Sequence, residues 1–473
     1  MGAHSIGGDD IKNWSDLMGL QVEPQEVNAL RQLSAAYLDQ MHKAKESNKY
    51  GIDLSIQDID LSRVMKHVDE VRNEIYEDAD RPEIFEEMGI EVVFGEASFT
   101  GSHTLSIILP DGTERSVTSK YFFICTGSSA FVPPIPGLES VNYLTNESLF
   151  QIDSIPKSIS IIGAGPIGCE MAQSFARLGL DVTVLDMADR ILANDDPELT
   201  KILMKSLEEE GVKFELNAAI EKVESDDESV RILYSKNGES RSATSESLLA
   251  ATGRRPNVGR LNLEAAGVNY SKKGIGVNKS GRTNQNHIYA AGDVTGQFNF
   301  SHMSEHTAKT AVTKALLKVP MSIDEKHLPW VTFTDPELGH VGATEADLNN
   351  NGVSFETYRF PFSKIDRAVT DGNTTGLIKI YAKKWSGKIL GASVVGAHAG
   401  EMISQYALAM KNGVSLRDFA DTIHPYPSYG LGARRAADQW YIKNQSETMV
   451  KWIKRIFRYR GEVPDYSDPN RIV

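Results

Sequence analysis

The sequence predicts an α/β protein in which two doubly wound units are followed by a C-terminal α+β unit. Three observations favour this fold class. A glycine-rich turn links a short apolar strand to a helix within 158–186, and strands at 121–124, 248–251 and 288–291 end in Thr-Gly or Gly-Asp pairs. From Pro329 onward the pattern changes to strands interspersed with helices.

The glycine-rich turn, Gly-Ala-Gly-Pro-Ile-Gly, lies between the apolar run Ser158–Ile162 and a helix expected at Cys169–Leu178. Its glycines suit separate tasks: Gly163 permits a tight turn, Gly165 leaves bare backbone against a pyrophosphate, and Gly168 allows close helix–strand contact. The helix N-terminus adds free N–H groups and a partial positive charge. The pattern therefore predicts a Rossmann-type dinucleotide site.

The next strand, Asp181–Leu185, ends on Asp186, about 20 residues beyond the first glycine, where a carboxylate can accept ribose hydroxyls. A carboxylate at this position repels a 2′-phosphate, so the sequence favours NADH over NADPH. Arg190 is close enough in the chain to weaken that preference. We expect NAD(P)H as a cofactor, with NADH favoured.

Composition limits the possible function classes. The chain has 473 residues, 50 basic against 64 acidic side chains and a formal charge of −14, which argues against nucleic acid or an anionic membrane as the main partner. Its two cysteines, Cys125 and Cys169, exclude a disulfide framework and favour the cytoplasm or another reducing compartment. Both cysteines are expected in buried elements, and no apolar run reaches the length of a membrane span.

The C-terminal tail is an exception to the acidic balance. Basic and apolar side chains alternate in it: Lys451, Trp452, Ile453, Lys454, Arg455, Ile456, Phe457, Arg458 and Arg460. A solvated C-terminal helix is the favoured interpretation, and contact with a membrane or an acidic partner is the alternative.

Apolar periodicity predicts the remaining elements. Helices are expected at 25–48, 59–77, 197–211, 302–317, 401–412 and 416–422. Strands are expected at 89–99, in a hairpin at 104–119, in an antiparallel insert at 219–246 turned at Asn237-Gly238, and at 212–215, 331–333, 340–342, 377–381 and 389–395. His302 and His306 lie four positions apart on a helix, but two ligands make half a metal site, so no metal is expected.

Five motifs stand in an order that carries a family resemblance. They are Cys125-Thr126-Gly127, GAGPIGCE at 163–170, Ala251-Thr252-Gly253-Arg254-Arg255-Pro256-Asn257, Ile288-Tyr289-Ala290-Ala291-Gly292-Asp293 and FTDPELGHVG at 333–342. With them the chain resembles the class I pyridine nucleotide–disulfide oxidoreductases, on the side of the mercuric reductases and dihydrolipoamide dehydrogenases. The resemblance runs from about Lys43 to Asp438.

The resemblance implies FAD and a nicotinamide nucleotide on two Rossmann-type domains, and a homodimer formed through the C-terminal domain. The implied division is an N-terminally incomplete FAD-binding domain at 1–155, an NAD(P)-binding domain at 156–280, a return segment of the FAD-binding domain at 281–325, a dimerisation domain at 326–445 and a basic tail at 446–473.

The resemblance also implies roles for single residues. Gly292 and Asp293 would hold the ribityl and pyrophosphate region of FAD, and Gly127 and Gly253 would allow close approach where the two domains meet. Glu170 matches a glutamate that in relatives pairs with a lysine beside the flavin. The alternative for Glu170 is an acid on a helix surface.

The chain departs from the family at its thiol relay. No strand with GxGxxG precedes Gln25, Asp10 and Ser15 stand where relatives have two redox cysteines, and the lysine partner of Glu170 is missing. Neither Asp10 nor Ser15 can exchange a disulfide.

The C-terminal acid–base pair of the family is altered as well. In one register Tyr426 stands at the family's histidine and Leu431 at its glutamate; in another register His424 takes the histidine position, still without the glutamate. A tyrosine with a pKa of about 10 is a poor proton shuttle near neutral pH.

These observations predict an FAD-dependent NAD(P)H oxidoreductase that passes hydride to a non-disulfide acceptor such as oxygen, a quinone or a dye. Two alternatives stay open. One is a nucleotide-binding family member without turnover. The other is an incomplete product of a complete gene, begun at an internal methionine, whose missing N-terminus could hide a targeting signal.

Overall fold

The computed structural model describes residues 47–53, 60–149, 156–226, 229–444 and 447–461. The chain divides into two compact units. Unit 1 comprises Met1–Gly168, Ser174–Met187 and Ala218–Asp324; unit 2 comprises Cys169–Gln173, Ala188–Asn217 and Glu325–Val473. Asp10, Ser15 and most of the helix predicted at 25–48 lie outside the described residues.

The strands, in chain order, are β1 (Glu96–Gly101), β2 (Thr104–Ile108), β3 (Glu114–Thr118), β4 (Phe122–Ile124), β5 (Ser128–Ala130), β6 (Ser158–Ile162), β7 (Asp181–Leu185), β8 (Lys213–Glu215), β9 (Ala219–Ser225), β10 (Val230–Lys236), β11 (Glu239–Ser245), β12 (Ser247–Ala250), β13 (Arg254–Pro256), β14 (Tyr270–Ser271), β15 (Gly274–Ile275), β16 (Ile288–Ala290), β17 (Pro329–Thr332), β18 (Glu337–Gly342), β19 (Glu356–Pro361), β20 (Leu377–Ala382) and β21 (Ile389–Gly396).

The helices are α1 (Leu61–Ile75), α2 (Pro82–Glu87), α3 (Pro166–Arg177), α4 (Pro197–Glu209), α5 (Ser301–Leu317), α6 (Glu345–Asn350), α7 (Asp366–Asp371), α8 (Ala399–Lys411), α9 (Leu416–Asp421), α10 (Gly430–Lys443) and α11 (Glu447–Phe457). A π-helical turn, Tyr76–Asp80, continues α1.

The glycine-rich turn of unit 1 follows the central strand of a parallel sheet. Strand β6 pairs with β7 on one side and with β12 on the other, in parallel on both sides. Every residue of β6 and β12 after the first is buried, as expected for strands of a parallel sheet that is covered on both faces. Ser160 is the one polar side chain among these buried positions, and it accepts a hydrogen bond from Ser245 Oγ at 2.8 Å. The observed bounds of β6 and β7 agree with the predicted strands.

The rest of unit 1 contains antiparallel hairpins and short strand pairs. Strands β1-β2-β3 and β11-β10-β9 form two antiparallel sheets, which contain the predicted hairpin at 104–119 and the predicted insert at 219–246. In the β10–β11 turn, Asn237 and Gly238 have φ values of 55° and 81°, the left-handed pair that a tight two-residue hairpin requires. Strand β4 pairs in parallel with β16, and β5 pairs antiparallel with β13. The strand predicted at 89–99 is wrong for its first half, because β1 begins only at Glu96.

Unit 2 is built on an antiparallel sheet with the order β17-β18-β21-β20-β19. Strands β19, β20 and β21 and helices α8 and α10 contribute to one buried hydrophobic cluster, which includes Tyr358, Ile380, Tyr406 and Ala436. Burial of this cluster is the main stabilising contribution within the unit. Strand β19 and helix α10 were not predicted from the sequence.

A buried cluster of charged side chains around Lys379 links strand β20 to the N-terminus of α4 within unit 2. Lys379 Nζ lies 2.8 Å from Asp196 Oδ2 and 3.0 Å from both Glu198 Oε2 and Glu345 Oε2. Asp196 also caps the N-terminus of α4 and accepts a hydrogen bond from the Tyr381 hydroxyl. Burial opposes the charged forms, but these hydrogen bonds lower the pKa of Asp196 and raise the pKa of Lys379.

Asp195 adjoins that cluster in a different electrostatic setting. Its side chain is 7% exposed and accepts a hydrogen bond from the Trp330 indole N–H at 2.8 Å. Burial, with the neighbouring charge of Asp196, raises the pKa of Asp195 to about 6 against the opposing influence of Trp330 and Arg190. The ionised form of this carboxyl group is therefore unfavourable in the folded chain.

We predict that Asp195→Asn stabilises the protein above pH 6. The folded chain binds the Asp195 proton more tightly than the unfolded chain, so the destabilising effect of Asp195 is absent below roughly pH 4 and complete above about pH 6. The difference between this pKa and the ordinary value near 4 corresponds to about 3 kcal/mol, and asparagine keeps the oxygen that accepts from Trp330.

Denaturant unfolding at several pH values measures this effect. The difference in free energy of unfolding between Asp195→Asn and the parent should grow across that pH window and should exceed the difference for the control Asp189→Asn, whose side chain is exposed. Parallel stability curves for Asp195→Asn and the parent would contradict the prediction.

Candidate functional site

Two glycines of the turn between β6 and α3 are required by the fold itself. Gly163 has a φ of 110°, and a Cβ there would lie 2.4 Å from the Ala251 carbonyl oxygen. A Cβ on Gly168 would lie 1.9 Å from the carbonyl oxygen of Gly163. Any side chain at either position would collide with backbone, so the strand and the helix can approach this closely only with glycine.

Gly165 has different surroundings. Its φ of −77° and ψ of −173° suit any residue, and an added Cβ would meet no atom within 4 Å. It is the N-cap of α3, Pro166 occupies the first turn, and no side chain caps this helix end. The protein structure does not itself require glycine here. The open space in front of uncapped helix N–H groups is the environment that a pyrophosphate needs.

Asp186 lies beside the glycine turn, as the sequence predicts for an acid at the end of β7. The Ala164 N–H donates to Asp186 Oδ2 at 2.6 Å, and the Gly163 N–H donates to the Leu185 carbonyl at 2.8 Å. One carboxylate oxygen therefore anchors the turn. The guanidinium of Arg190 donates to the Ala193 carbonyl.

A second group of predicted residues lies where β16 ends. Asp293 Oδ2 accepts a hydrogen bond from Ser128 Oγ at 2.5 Å and lies 3.5 Å from Arg254 Nε. Arg254 also donates to the Ser128 carbonyl at 2.6 Å, which fixes the guanidinium. Asp293 Oδ1 receives no hydrogen bond from the described residues, and the side chain is 18% exposed. That oxygen can accept a ligand hydroxyl.

Gly127, Gly253 and Gly292 adopt positive φ values of 63°, 116° and 73°. Gly127 and Gly253 lie in two loops that bond to each other: Thr126 Oγ1 donates to the Asn257 carbonyl at 2.8 Å, and Asn257 Nδ2 donates to the Thr126 carbonyl at 3.0 Å. An added Cβ at Gly127 or Gly253 would meet no atom within 4 Å. The backbone of both loops is therefore uncovered at these glycines.

Glu170 is buried on α3, in the part of that helix that belongs to unit 2. Its Oε1 accepts a hydrogen bond from the Phe333 N–H at 2.8 Å. One turn later, Gln173 accepts from the Asp335 N–H at 2.8 Å and donates to the Asp335 carbonyl at 2.6 Å. The alternative of a surface acid at Glu170 is therefore wrong. Gln173 was not among the predicted site residues, although a polar side chain within an otherwise apolar helix face could have indicated it.

Tyr426 and His424 lie in unit 2, apart in the chain from the glycine turn. Tyr426 is 70% exposed, and a hydrogen bond with Asp366 raises its pKa above the ordinary value near 10, so the hydroxyl stays protonated at neutral pH. His424 Nδ1 lies 3.0 Å from the Thr422 carbonyl, and its ring stacks on Phe419 with centroids 5.5 Å apart. Neither arrangement reproduces a histidine–glutamate pair.

The two cysteines differ in their exposure to solvent. Both thiols are free; Cys169 is buried, but Cys125 is exposed, so its expected burial is wrong.

His306 Nε2 accepts from the Asp324 N–H at 3.1 Å, and His302 stacks on Phe300. Within the described ranges, no three histidine, cysteine or acidic side chains are arranged to hold a metal ion. Among the helices of the described residues, none is long and apolar enough to cross a membrane.

Comparison with known proteins identifies the family. The profile described as "Pyridine nucleotide-disulphide oxidoreductase" matches residues 22–315, and the profile of its dimerisation domain matches 328–436. A mercuric reductase of Lysinibacillus sphaericus is 34% identical over 402 residues, which is 84% of this chain and 72% of that protein. A dihydrolipoyl dehydrogenase of Geobacillus stearothermophilus is 30% identical over 410 residues, 86% of each protein.

A solved structure supports the same fold. The HOCl-induced flavoprotein disulfide reductase RclA from Escherichia coli matches 89% of this chain and 90% of its own, with a TM-score of 0.75 and 26% identity. The predicted fold class, Rossmann-type domains followed by a dimerisation domain, is confirmed. The chain belongs to the pyridine nucleotide–disulphide oxidoreductase family, whose cofactors are FAD and NAD(P)H.

Proposed function

We propose that this protein is an FAD-dependent NADH oxidoreductase that passes electrons to a non-disulfide acceptor such as oxygen, a quinone or a dye. The observation that carries the proposal is Gly165, a glycine that neither backbone conformation nor packing requires, at an uncapped helix N-terminus. The space that a pyrophosphate needs beside the backbone would explain why this position is a glycine. Asp186 at the end of β7 then accepts the ribose hydroxyls and disfavours a 2′-phosphate.

The residues of unit 1 fit the flavin as well. Asp293 would accept ribityl hydroxyls through Oδ1, while Ser128 and Arg254 hold its other oxygen in place. The uncovered backbone at Gly127 and Gly253 leaves room for a cofactor to approach. When bound, FAD supplies hydride acceptance from the nicotinamide and electron delivery to the acceptor.

A non-disulfide acceptor follows from the side chains around the family's relay positions. Cys169 is fully buried, and Cys125 has no second cysteine near it in the chain with which to form a redox pair. Tyr426 keeps its proton near neutral pH, and His424 bonds to a backbone carbonyl instead of a glutamate. Glu170 is committed to the Phe333 amide. The histidine–glutamate pair that protonates the departing thiolate in the family is therefore not formed by these groups, which supports an acceptor other than a disulfide.

Two further parts of the proposal rest on the family. The dimerisation-domain match at 328–436 supports a homodimer. The domain boundaries predicted from the sequence, 1–155, 156–280, 281–325, 326–445 and 446–473, remain predictions.

The function is tested with the purified chain reconstituted with FAD. We expect a yellow protein whose visible flavin absorption bleaches on anaerobic addition of NADH and returns on addition of benzoquinone. Oxidised lipoamide should not restore the colour. Reoxidation by lipoamide but not by the quinone would overturn the choice of acceptor. NADH binding without any bleaching would instead favour the alternative of a nucleotide-binding protein without turnover.

We predict that Gly165→Val weakens NADH binding at least tenfold, about 1.4 kcal/mol, because the new side chain occupies the space in front of the α3 amides. Thermal stability should be unchanged, since the backbone conformation suits valine. Fluorescence titration with NADH and a melting curve measure the two effects.

Two matched glycine substitutions separate these effects. Gly101→Val, at another open position in unit 1, should alter neither property, whereas Gly168→Ala should lower the melting temperature because its Cβ meets the Gly163 carbonyl. Unchanged NADH affinity in a folded Gly165→Val protein would show that the glycine turn is not the nucleotide site.

We predict that Asp293→Asn weakens FAD binding at least tenfold. The amide lacks the charge that pairs with Arg254, and with its oxygen toward Ser128 and Arg254 it presents an NH2 group where Oδ1 would accept a ligand hydroxyl. FAD retained after gel filtration and the dissociation constant from flavin fluorescence measure the change. Asp111→Asn, at an exposed hairpin, serves as the control. Equal FAD affinity for all three proteins would remove Asp293 from the flavin site.

A further inference from the structure

Helix α11 presents a strongly amphipathic surface in unit 2. Trp452, Ile453, Ile456 and Phe457 follow one another at helical spacing and form one stripe, which we call the apolar stripe of α11. These side chains are exposed to 60%, 44%, 62% and 75%. Large exposed apolar side chains grouped on one face of a helix indicate a surface that contacts something else.

The opposite side of α11 is basic. Lys451, Lys454 and Arg455 form a second stripe at helical spacing, and Arg458 and Arg460 follow the helix. From Glu447 to Gly461 the chain has five basic residues and one acidic residue, whereas the whole chain carries a formal charge of −14. Positive charge is thus concentrated on a single helix whose other face is apolar.

We propose that α11 lies in the plane of an anionic lipid surface, with the apolar stripe among the acyl chains and the basic stripe at the headgroups. Tryptophan and phenylalanine on one face with lysine and arginine on the other is the pattern of interfacial helices. The helix has 11 residues, too short to cross a bilayer, so an in-plane position is the one that satisfies both stripes. The inference does not depend on the electron acceptor.

Charge complementarity favours lipid over a second copy of the chain. A second α11 packed on the apolar stripe would leave both basic stripes in solvent, without a partner of opposite charge. An anionic bilayer satisfies both stripes at once, because headgroup charge attracts lysine and arginine next to an apolar interior.

Vesicle flotation tests the proposal with the full chain. We expect it to float with vesicles of equal parts phosphatidylcholine and phosphatidylglycerol, and to remain at the bottom with phosphatidylcholine alone. High salt should reduce the floating fraction severalfold, since it screens the basic stripe. Flotation that is equal on both vesicle types, or absent on both, would overturn the proposal.

Variants show whether flotation depends on the two stripes of α11 or on nonspecific adsorption of the protein to vesicles. Lys454→Glu with Arg455→Glu, and separately Ile456→Glu with Phe457→Glu, should each reduce flotation at least tenfold. Trp385→Ala removes a tryptophan that is 75% exposed beside Lys384, more than Trp452 at 60%, but outside α11, and this variant should float like the parent. All of these side chains are on the surface, so each variant should fold. Circular dichroism checks this.

Two further measurements locate the helix and its occupant. Trp452→Phe keeps an apolar side chain in the stripe, so it should still float but lose most of the blue shift of tryptophan fluorescence on anionic vesicles. Light scattering without lipid reports the oligomeric state. A change from dimer to monomer in Ile456→Glu with Phe457→Glu, with flotation preserved, would show that a second copy covers the stripe and would overturn the lipid assignment.

Discussion

Backbone crowding at the start of α3 is the constraint on which the nucleotide site depends. The carbonyl oxygen of Gly163 occupies the space where a side chain on Gly168 would begin, so the first turn of α3 reaches the end of β6 only with glycine there. This approach leaves the amides after Gly165 at the carboxyl end of a parallel sheet, where doubly wound folds bind their ligands. In the proposed nucleotide site, backbone geometry thus supplies the anion-binding feature, and ligand selection is assigned to side chains such as Asp186.

The elements that the sequence predicts well are those whose signal is local. Strands β6 and β7 are short apolar runs ended by a glycine or an acid, and both were predicted at their observed bounds. Strand β19 lies at the edge of its sheet, and its exposed arginine and proline weaken the apolar pattern. Helix α10 contains Gly430 and Gly432, poor helix formers. Close packing explains Gly432, since a Cβ there would lie 2.2 Å from Ile365 Cδ1.

The same distinction applies to the candidate site. Gly163, Gly165, Gly168 and Asp186 lie within one short motif, and spacing alone predicts their proximity. The contact of Ser128 with Asp293 joins residues 165 positions apart, and the pair of Lys379 with Asp196 joins residues 183 positions apart. Such pairs depend on how distant segments pack, which no local periodicity encodes. The motif order indicated that Asp293 matters, and only the fold showed which side chains position it.

The hydrogen bond from Ala164 to Asp186 has an evolutionary consequence. The simplest way for a descendant to accept a phosphorylated ribose is to exchange this acid for a small neutral residue. That exchange would also remove the hydrogen bond from the Ala164 amide to this carboxylate and so one of the contacts that hold the turn. Under the proposed function, a change of coenzyme at this position would therefore also alter the turn, because one carboxylate serves both.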